Sequence, residues 1–209
     1  AGMIAHGRGE AFDYLLGECT IPEAEEAETA AASLLLNASN PVISVNGNVA
    51  ALCPEAVVGL AKAIPAKLEV NLFYRTDKRM KLITKHLKDH GAKKVLGMKP
   101  DASIPGLEHA RGLCSEEGIF SADVVLVPLE DGDRAQALRK MGKTTIVIDL
   151  NPLSRSARAA SVTIVDEVTR AIPNITRFAG EMRGLPPAKP FDNELHLRKA
   201  LDRITNSLF

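Results

Sequence analysis

Residues 149–158, with the sequence DLNPLSRSAR, carry side chains suited to holding a phosphate. Asn151 and Pro152 predict the start of a short helix, with Arg155 about one turn further on. The free N–H groups and positive dipole end of such a helix attract phosphate, and a guanidinium adds charge-assisted hydrogen bonds. Asp149, at the end of a predicted strand, could hold a ribose hydroxyl or a magnesium ion. The alternative is a well-capped helix whose arginines only meet solvent.

A second candidate is Arg8, which stands between two glycines in residues 6–10, HGRGE. Glycines let the backbone approach a ligand closely, and the guanidinium can bind a phosphate or carboxylate with two parallel hydrogen bonds. We therefore predict a ligand-binding loop here. An exposed turn near the start of the chain explains the same residues equally well.

Three acidic residues, Glu130, Asp131 and Asp133, follow the apolar run 122–127. Carboxylates are the protein ligands that magnesium prefers, so these residues could coordinate that ion. For Asp133 we prefer a different interpretation, in which its side chain caps the helix that follows.

The polar segments recur in one position relative to the predicted strands. Each follows a short apolar run, and they are residues 46–48, 74–76, 128–134, 149–158 and 166–167. In open parallel sheets, ligands bind beyond the carboxyl ends of the strands. The pattern therefore predicts one large polar site along one edge of a sheet.

Strand-like and helix-like segments alternate along the chain, which is typical of an α/β fold. We predict a Rossmann-like, doubly wound, mostly parallel sheet with helices on both faces. Thr20 and Glu23 form a capping-box pattern at the start of one helix, and Pro173 is predicted to open a later one.

We expect residues 1–183 to form one domain, with a loop and a helix at its start. Residues 184–209 are predicted to be a proline-rich connector and a C-terminal helix. An apolar stripe on that helix should pack on the same domain or on a dimer partner, and it consists of Leu197, Leu201, Ile204 and Leu208.

Composition excludes several classes of protein. The chain has 209 residues with 26 basic and 26 acidic side chains, so it lacks the basic excess of a general nucleic-acid binder. Three cysteines without C-x-x-C spacing argue against a disulfide framework and a structural zinc site, and they favour the cytoplasm. No apolar run approaches the roughly 18 residues of a membrane span. The chain starts at Ala1, and we expect further residues upstream.

Common catalytic motifs are absent or imperfect. G-x-G-x-x-G is missing, which weakens a dehydrogenase, and G-x-S-x-G is missing, which weakens a hydrolase. Residues 141–144, MGKT, imitate the end of a P-loop but enter a predicted strand instead of leaving one. His86 and His90 have metal-ligand spacing, yet their charged neighbours indicate a solvated helix face.

Several unbroken segments resemble one family. They are AHGRGEAFDYL at 5–15, NPVISVNGNVAAL at 40–52, NLFYRT at 71–76, IPGLEHARG at 104–112, ADVVLVPLEDGDR at 122–134, and IDLNPLSRSARAA with VTIVD within 148–166. Across about residues 2–180 the chain resembles the archaeal phosphopantothenate synthetases, also called 4-phosphopantoate–β-alanine ligases.

The resemblance implies a Rossmann-like homodimer that joins 4-phosphopantoate to β-alanine during coenzyme A biosynthesis. ATP would be the co-substrate, AMP and diphosphate would be released, and we expect magnesium to take part. Carried over position by position, the ATP contacts are Arg8, Asp149, Leu150, Asn151, Arg155, Ser156, Glu167 and Val168.

Residues for the second substrate are less directly marked. We expect Asn46, Asn48 and Arg75 to bind it, because they follow the first two predicted strands. His109 is a candidate base for the β-alanine amine or a contact to phosphopantoate, with a purely structural histidine as the alternative. Two other functions fit the same fold: a nicotinamide- or sugar-nucleotide-dependent enzyme, and a nucleotide-sensing module without catalysis.

Overall fold

The computed structural model describes the backbone of residues 2–206 and the side chains of residues 9–206. The strands in this range are β1 (Pro41–Val45), β2 (Lys67–Val70), β3 (Val95–Leu96), β4 (Ala102–Ser103), β5 (Leu113–Cys114), β6 (Val124–Pro128), β7 (Thr144–Ile148) and β8 (Val162–Ile164). Six of them form one sheet in the order β3-β2-β1-β6-β7-β8, and every neighbouring pair is parallel. Strands β4 and β5 form a separate antiparallel ribbon.

The helices in the same range are α1 (Gly2–Leu16), α2 (Pro22–Asn37), α3 (Gly47–Leu52), α4 (Pro54–Ala63), α5 (Asp77–Asp89), α6 (Gly132–Lys140), α7 (Arg155–Ala159), α8 (Val168–Glu181) and α9 (Asn193–Asn206). A π-helical turn, Glu116–Phe120, precedes β6. Within the range described, no helix has the length and apolar content needed to cross a bilayer.

The sheet confirms the predicted α/β fold with a parallel, doubly wound arrangement. The chain runs outward from β1 to β3 and then returns to the other side of β1 for β6, β7 and β8. This strand order creates a crevice where the winding reverses, between the carboxyl ends of β1 and β6. The fold therefore fixes where a ligand should bind before any side chain is considered.

Alternating side chains of the central strands pack into two different cores. Ile43 and Val45 of β1 face the helices α2, α4 and α8. Val42 lies in the core on the other face, together with Val125 of β6 and Leu138 of α6. Because successive residues of a strand point to opposite faces, the five buried residues of β1 can serve both cores.

Several helix starts differ from the predictions. The polar segment 46–48 starts a helix: the Asn46 side chain accepts hydrogen bonds from the N–H groups of Asn48 and Val49 and caps α3. Asp131, not Asp133, caps α6, by accepting from the Arg134 N–H.

The start of α7 also differs from the prediction: Ser154 is the capping residue, and Arg155 is the first helical residue. Asn151 instead accepts from the Leu153 N–H in a turn before the helix. The prediction that Asn151 and Pro152 start this helix was therefore wrong by one turn.

Thr20 does not cap α2, since its hydroxyl donates to the Asp166 carboxylate at 2.6 Å. Pro173 does not open a helix either; it lies inside α8, which starts at Val168 with Glu167 as its cap. At α2, a contact distant in sequence engages the expected cap, and at α8 a better cap lies upstream of Pro173.

The predicted loop at residues 6–10 is part of helix α1. Leu16, at the end of α1, packs in a third apolar cluster together with Ala24, Leu197, Ala200 and Ile204. This tertiary packing outweighs the low helix propensity of the glycines. Helix α9 thus packs on α1 and α2 of the same chain, and Leu208 lies outside the described residues.

Candidate active site

A cavity of about 790 Å³ opens over the carboxyl ends of β1, β6, β7 and β8. Its lining comes from α1, from the loops after these strands, and from the first turn of α8: Gly9, Glu10, Ala11, Phe12, Asp13, Glu18, Asn48, Leu52, Leu129, Glu130, Asp149, Leu150, Asn151, Ser154, Ser156, Glu167 and Val168. It includes the switch point of the sheet, where the fold places a ligand site.

Most of the residues expected to bind ATP meet in this cavity. The loop after β7 supplies Asp149, Leu150 and Asn151, and the loop after β8 supplies Glu167 and Val168. Ser156 also lines the wall, and so does Asn48, which we expected to bind the second substrate. Three separate segments of sequence therefore converge on one space.

Asp149 is held rigidly at the end of β7. One carboxylate oxygen accepts from the Asn151 N–H at 3.0 Å, and the other accepts from the Ser154 hydroxyl at 2.5 Å. Burial raises the pKa of Asp149, while the bonds from Ser154 and Asn151 oppose that change. Each oxygen keeps a further lone pair, so this carboxylate can still accept a hydrogen bond from a ligand hydroxyl.

The part of the cavity near β7 and β8 has the character of a nucleoside site. Leu150 and Val168 are buried apolar residues on its wall, and Leu129 adds apolar surface on the side of β6. Glu167 lies beside them and accepts from the Thr169 N–H at 2.7 Å. Apolar walls with a few fixed acceptors suit a flat base and its ribose.

Helix α1 forms the wall opposite these strands. Asp13 on this helix pairs with Arg170 of α8, and Arg170 also pairs with Asp166 at the end of β8. Partial burial by itself would lower the pKa of Arg170, but the bonds to Asp13 and Asp166 outweigh this effect and raise the pKa. Sequence reasoning missed Phe12 and Asp13, although they lie in the segment that carried the family resemblance.

The backbone of Arg8 is part of α1, and its side chain is not among those that the structure describes. Arg155 is described and does not line the cavity. Its side chain is 66% exposed and donates to Asp133 at 2.8 Å across the starts of α7 and α6. Asp133 is therefore an ion-pair partner where a helix cap was predicted.

Asn46 and Arg75 are structural braces in this arrangement. The Asn46 amide donates to the carbonyls of Pro128 and Leu129 and ties the end of β1 to the end of β6. The Arg75 guanidinium donates to the carbonyls of Gly97 and Met98, beyond β3. Neither side chain lines the cavity.

His109 lies in the connection between β4 and β5 and is exposed. Its Nδ1 accepts from the Arg111 N–H at 3.2 Å, and its ring lies 5.1 Å from the ring of Phe73. It does not line the cavity. Phe73, Tyr74, Arg79, His109 and Arg111 form a group that we call the β2-loop cluster, because its first members follow β2.

A buried group of charges connects this cluster to the cavity. Arg111 pairs with both Glu130 and Asp131, and the fully buried Arg134 donates to Glu130 at 2.6 Å and to Ser44 at 3.1 Å. Sequence reasoning considered Glu130 and Asp131 as magnesium ligands, but arginines neutralise them. Among the residues with described side chains, no three His, Cys, Asp or Glu groups converge as a metal site.

The comparisons with known proteins agree with the resemblance. A family model described as phosphopantothenate/pantothenate synthetase matches residues 23–207. A protein of Thermococcus onnurineus named 4-phosphopantoate–β-alanine ligase is 60% identical over 184 residues, which cover 88% of this chain and 70% of that protein.

Two further archaeal proteins carry the same name. The one from Thermococcus kodakarensis is 53% identical, with 98% of this chain and 84% of that protein covered. The one from Methanosarcina mazei is 54% identical, with 99% and 84% covered. On this similarity, which extends through every strand that supports the cavity, the chain belongs to the phosphopantothenate/pantothenate synthetase family.

Proposed function

We propose that this chain is an ATP-dependent ligase that joins 4-phosphopantoate to β-alanine and gives 4'-phosphopantothenate, AMP and diphosphate, a step of coenzyme A biosynthesis. One observation carries the proposal: residues that the family resemblance assigns to ATP, from the segments after β7 and after β8, meet in a cavity that includes the switch point of the sheet. The names and identities of the archaeal relatives support the choice of substrates.

In this proposal the adenosine of ATP occupies the end of the cavity near β7 and β8. Leu150 and Val168 contact the base, and Asp149 accepts a hydrogen bond from a ribose hydroxyl. The Ser156 hydroxyl donates to the Glu130 carbonyl at 2.6 Å, so its proton is already engaged and is not offered to a phosphate. Arg155 and Arg8 are the proposed phosphate contacts.

The proposed chemistry has two steps. The carboxylate of 4-phosphopantoate attacks the α-phosphorus of ATP, so that an acyl adenylate forms and diphosphate leaves. The unprotonated amine of β-alanine then attacks the acyl carbon, the bond to AMP breaks, and the amine loses a proton. The protein contributes by holding the reacting groups in line and by excluding water.

Magnesium enters the proposal only with the phosphates of ATP, which is how this ion is usually carried into such sites. Asp149, Glu130 and Asp131 already have partners, so no step is assigned to a metal held by them. A homodimer and a cytoplasmic location are also part of the proposal. Three unpaired cysteines support a reducing compartment.

The test is an assay of products with ATP, magnesium, 4-phosphopantoate and β-alanine. We expect AMP, diphosphate and 4'-phosphopantothenate in equal amounts. Without β-alanine, labelled diphosphate should still exchange into ATP. Release of ADP and phosphate would contradict the adenylate, and binding without turnover would favour a nucleotide-sensing module.

A pair of variants tests the location of the site. Leu52 lines the cavity, whereas Leu153 is exposed in the loop before α7 and does not line it. Leu52→Phe should raise the Michaelis constant for ATP because the larger ring fills the cavity. Leu153→Phe adds the same ring outside the cavity and should leave that constant unchanged.

A further inference from the structure

The charges of the cavity are opposite to those needed by its proposed ligands. Its described lining includes six carboxylates and no lysine, arginine or histidine side chain; the carboxylates are Glu10, Asp13, Glu18, Glu130, Asp149 and Glu167. ATP and a phosphorylated acid bring several negative charges of their own. Among the residues with described side chains, cations for these ligands therefore have to come from the rim of the cavity.

The β2-loop cluster supplies such a cation beside the switch point. Arg79, in the first turn of α5, donates through Nη1 to the Tyr74 carbonyl at 2.6 Å. This bond holds its guanidinium over the start of α3, where a Cβ built on Gly47 would lie 3.3 Å from the Arg79 Nη2. Asn48, the next residue of α3, lines the cavity.

Arg79 also differs from its neighbouring arginines in being available. Arg75 is bound to the carbonyls of Gly97 and Met98, and Arg111 is paired with Glu130 and Asp131. Arg79 forms no ion pair with any residue in the described part of the chain. Its charge can therefore meet an arriving anion without breaking an existing pair.

The surroundings of Arg79 favour a compact organic phosphate over a bare polyphosphate chain. Phe73 is 50% exposed and Tyr74 is 71% exposed, and their rings lie 4.8 Å apart. Exposed aromatic rings at the carboxyl edge of the sheet can cover the aliphatic part of a branched acid. A triphosphate has no aliphatic part for them to cover.

We propose that Arg79 binds the phosphate group of the phosphorylated acid, with the aromatic rings of the β2-loop cluster covering its aliphatic part. The inference rests on the proposed function for the identity of that acid. It replaces Arg75, which the sequence suggested, with the arginine that the structure directs toward the switch point. ATP would then occupy the β7 and β8 side, and the acid would occupy the β1 and β2 side.

Calorimetry with two ligands tests this assignment on the full chain. The ligands are 4-phosphopantoate and pantoate, which lacks the phosphate. Arg79→Gln should weaken binding of 4-phosphopantoate by about ten- to a hundredfold, the usual effect of losing a charge-assisted contact, and should change pantoate binding by less than about threefold. Lys78→Gln removes the same charge from the same exposed turn and should change neither.

Three results would overturn the assignment. The first is equal weakening for the two acids by Arg79→Gln, and the second is unchanged binding of both. The third is weaker binding of ATP with that of AMP unchanged, which would place Arg79 on the terminal phosphates of ATP. Failure of the proposed function is distinguishable, because the wild-type protein would then release no AMP even if it bound 4-phosphopantoate through Arg79.

Discussion

Arg155 donates a hydrogen bond to the Asp133 carboxylate at 2.8 Å and thereby links the first turns of α7 and α6. Both side chains are exposed, at 66% and 62%. Exposed ion pairs of this kind contribute at most about 1 kcal/mol to stability. Arg155 can therefore leave Asp133 for a phosphate at the mouth of the cavity with little loss of folding free energy.

We accordingly predict that Arg155→Ala weakens ATP binding by about ten- to a hundredfold, because a charge-assisted contact to phosphate is lost. The matched control is Asp133→Asn, which releases Arg155 and should leave ATP affinity unchanged or slightly higher. Calorimetric titration of both variants measures this. Unchanged ATP affinity in folded Arg155→Ala would mean that Arg155 serves only its pair with Asp133.

A buried carboxyl on α2 gives a prediction about pH. Glu28 of α2 is fully buried; its Oε1 accepts from Asn174 at 3.3 Å, and its Oε2 has no partner among the described residues. Burial raises the pKa of Glu28 to about 8, against the opposing effect of the Asn174 bond, and nearby Asp166 adds to the rise. The folded protein therefore holds a proton that the unfolded chain releases near pH 4.5.

Because the folded state binds more protons than the unfolded state between these values, Glu28 makes the free energy of unfolding fall as pH rises from about 4.5 to 8. Glu28→Gln keeps the shape and supplies a permanent N–H in place of the acid proton. We predict that this variant has a higher melting temperature at pH 8.5 and a flatter dependence on pH. A melting curve equal to that of the wild type across this range would show that Glu28 ionises normally.

The sequence predicted the strands better than the helix starts, and the reason is physical. Apart from Thr144 and Thr145, the runs at β6 and β7 consist of apolar residues because both faces of these strands are covered, so their pattern needs no tertiary information. At α6, both Asp131 and Asp133 are good capping residues. The choice between them depends on Arg155, which lies 22 residues away and binds Asp133.

The same limit applies to the site. Asp149 and Glu167 could be placed at strand ends from local pattern and resemblance, and both line the cavity. Nothing local distinguishes Arg75 from Arg79, since both are arginines between the end of β2 and the first turn of α5. Only the fold shows that one guanidinium turns toward β3 and the other toward α3.

Close packing of α6 on α7 gives a prediction about stability. A Cβ built on Gly132 would lie 2.4 Å from the Cβ of Arg155 and 3.1 Å from its carbonyl carbon. Gly132→Ala must therefore displace one backbone from the other, and we predict a loss of about 1–3 kcal/mol in the free energy of unfolding. Because this region forms a wall of the cavity, ATP affinity should fall as well.

Gly59 provides the matched control. It lies inside α4, and a Cβ built there meets no atom within 4 Å. Gly59→Ala should stabilise the protein by about 0.5–1 kcal/mol through helix propensity alone. Denaturant unfolding of Gly132→Ala and Gly59→Ala measures whether their changes in the free energy of unfolding have opposite signs. Equal stability of the two would show that α6 and α7 separate freely.

The last prediction concerns the role of His109. Its Nδ1 accepts a hydrogen bond from the Arg111 N–H, so the neutral ring carries its proton on Nε2. In this tautomer Nε2 carries the proton, so it can donate a hydrogen bond to a ligand but cannot take a proton from the amine. The geometry thus favours a contact to an anionic group of the acid over a base for the β-alanine amine.

Glutamine can place an N–H close to the position of Nε2 but cannot act as a base, so two variants separate the roles. If His109 is a donor, His109→Ala should raise the Michaelis constant for 4-phosphopantoate about tenfold or more, and His109→Gln should recover part of that loss. If it is a base, both variants should slow amide formation about a hundredfold while diphosphate exchange persists. If it is structural, the melting temperature should fall while the folded fraction works normally. Because the donor role alone predicts rescue by glutamine, equal impairment of the two variants would refute it.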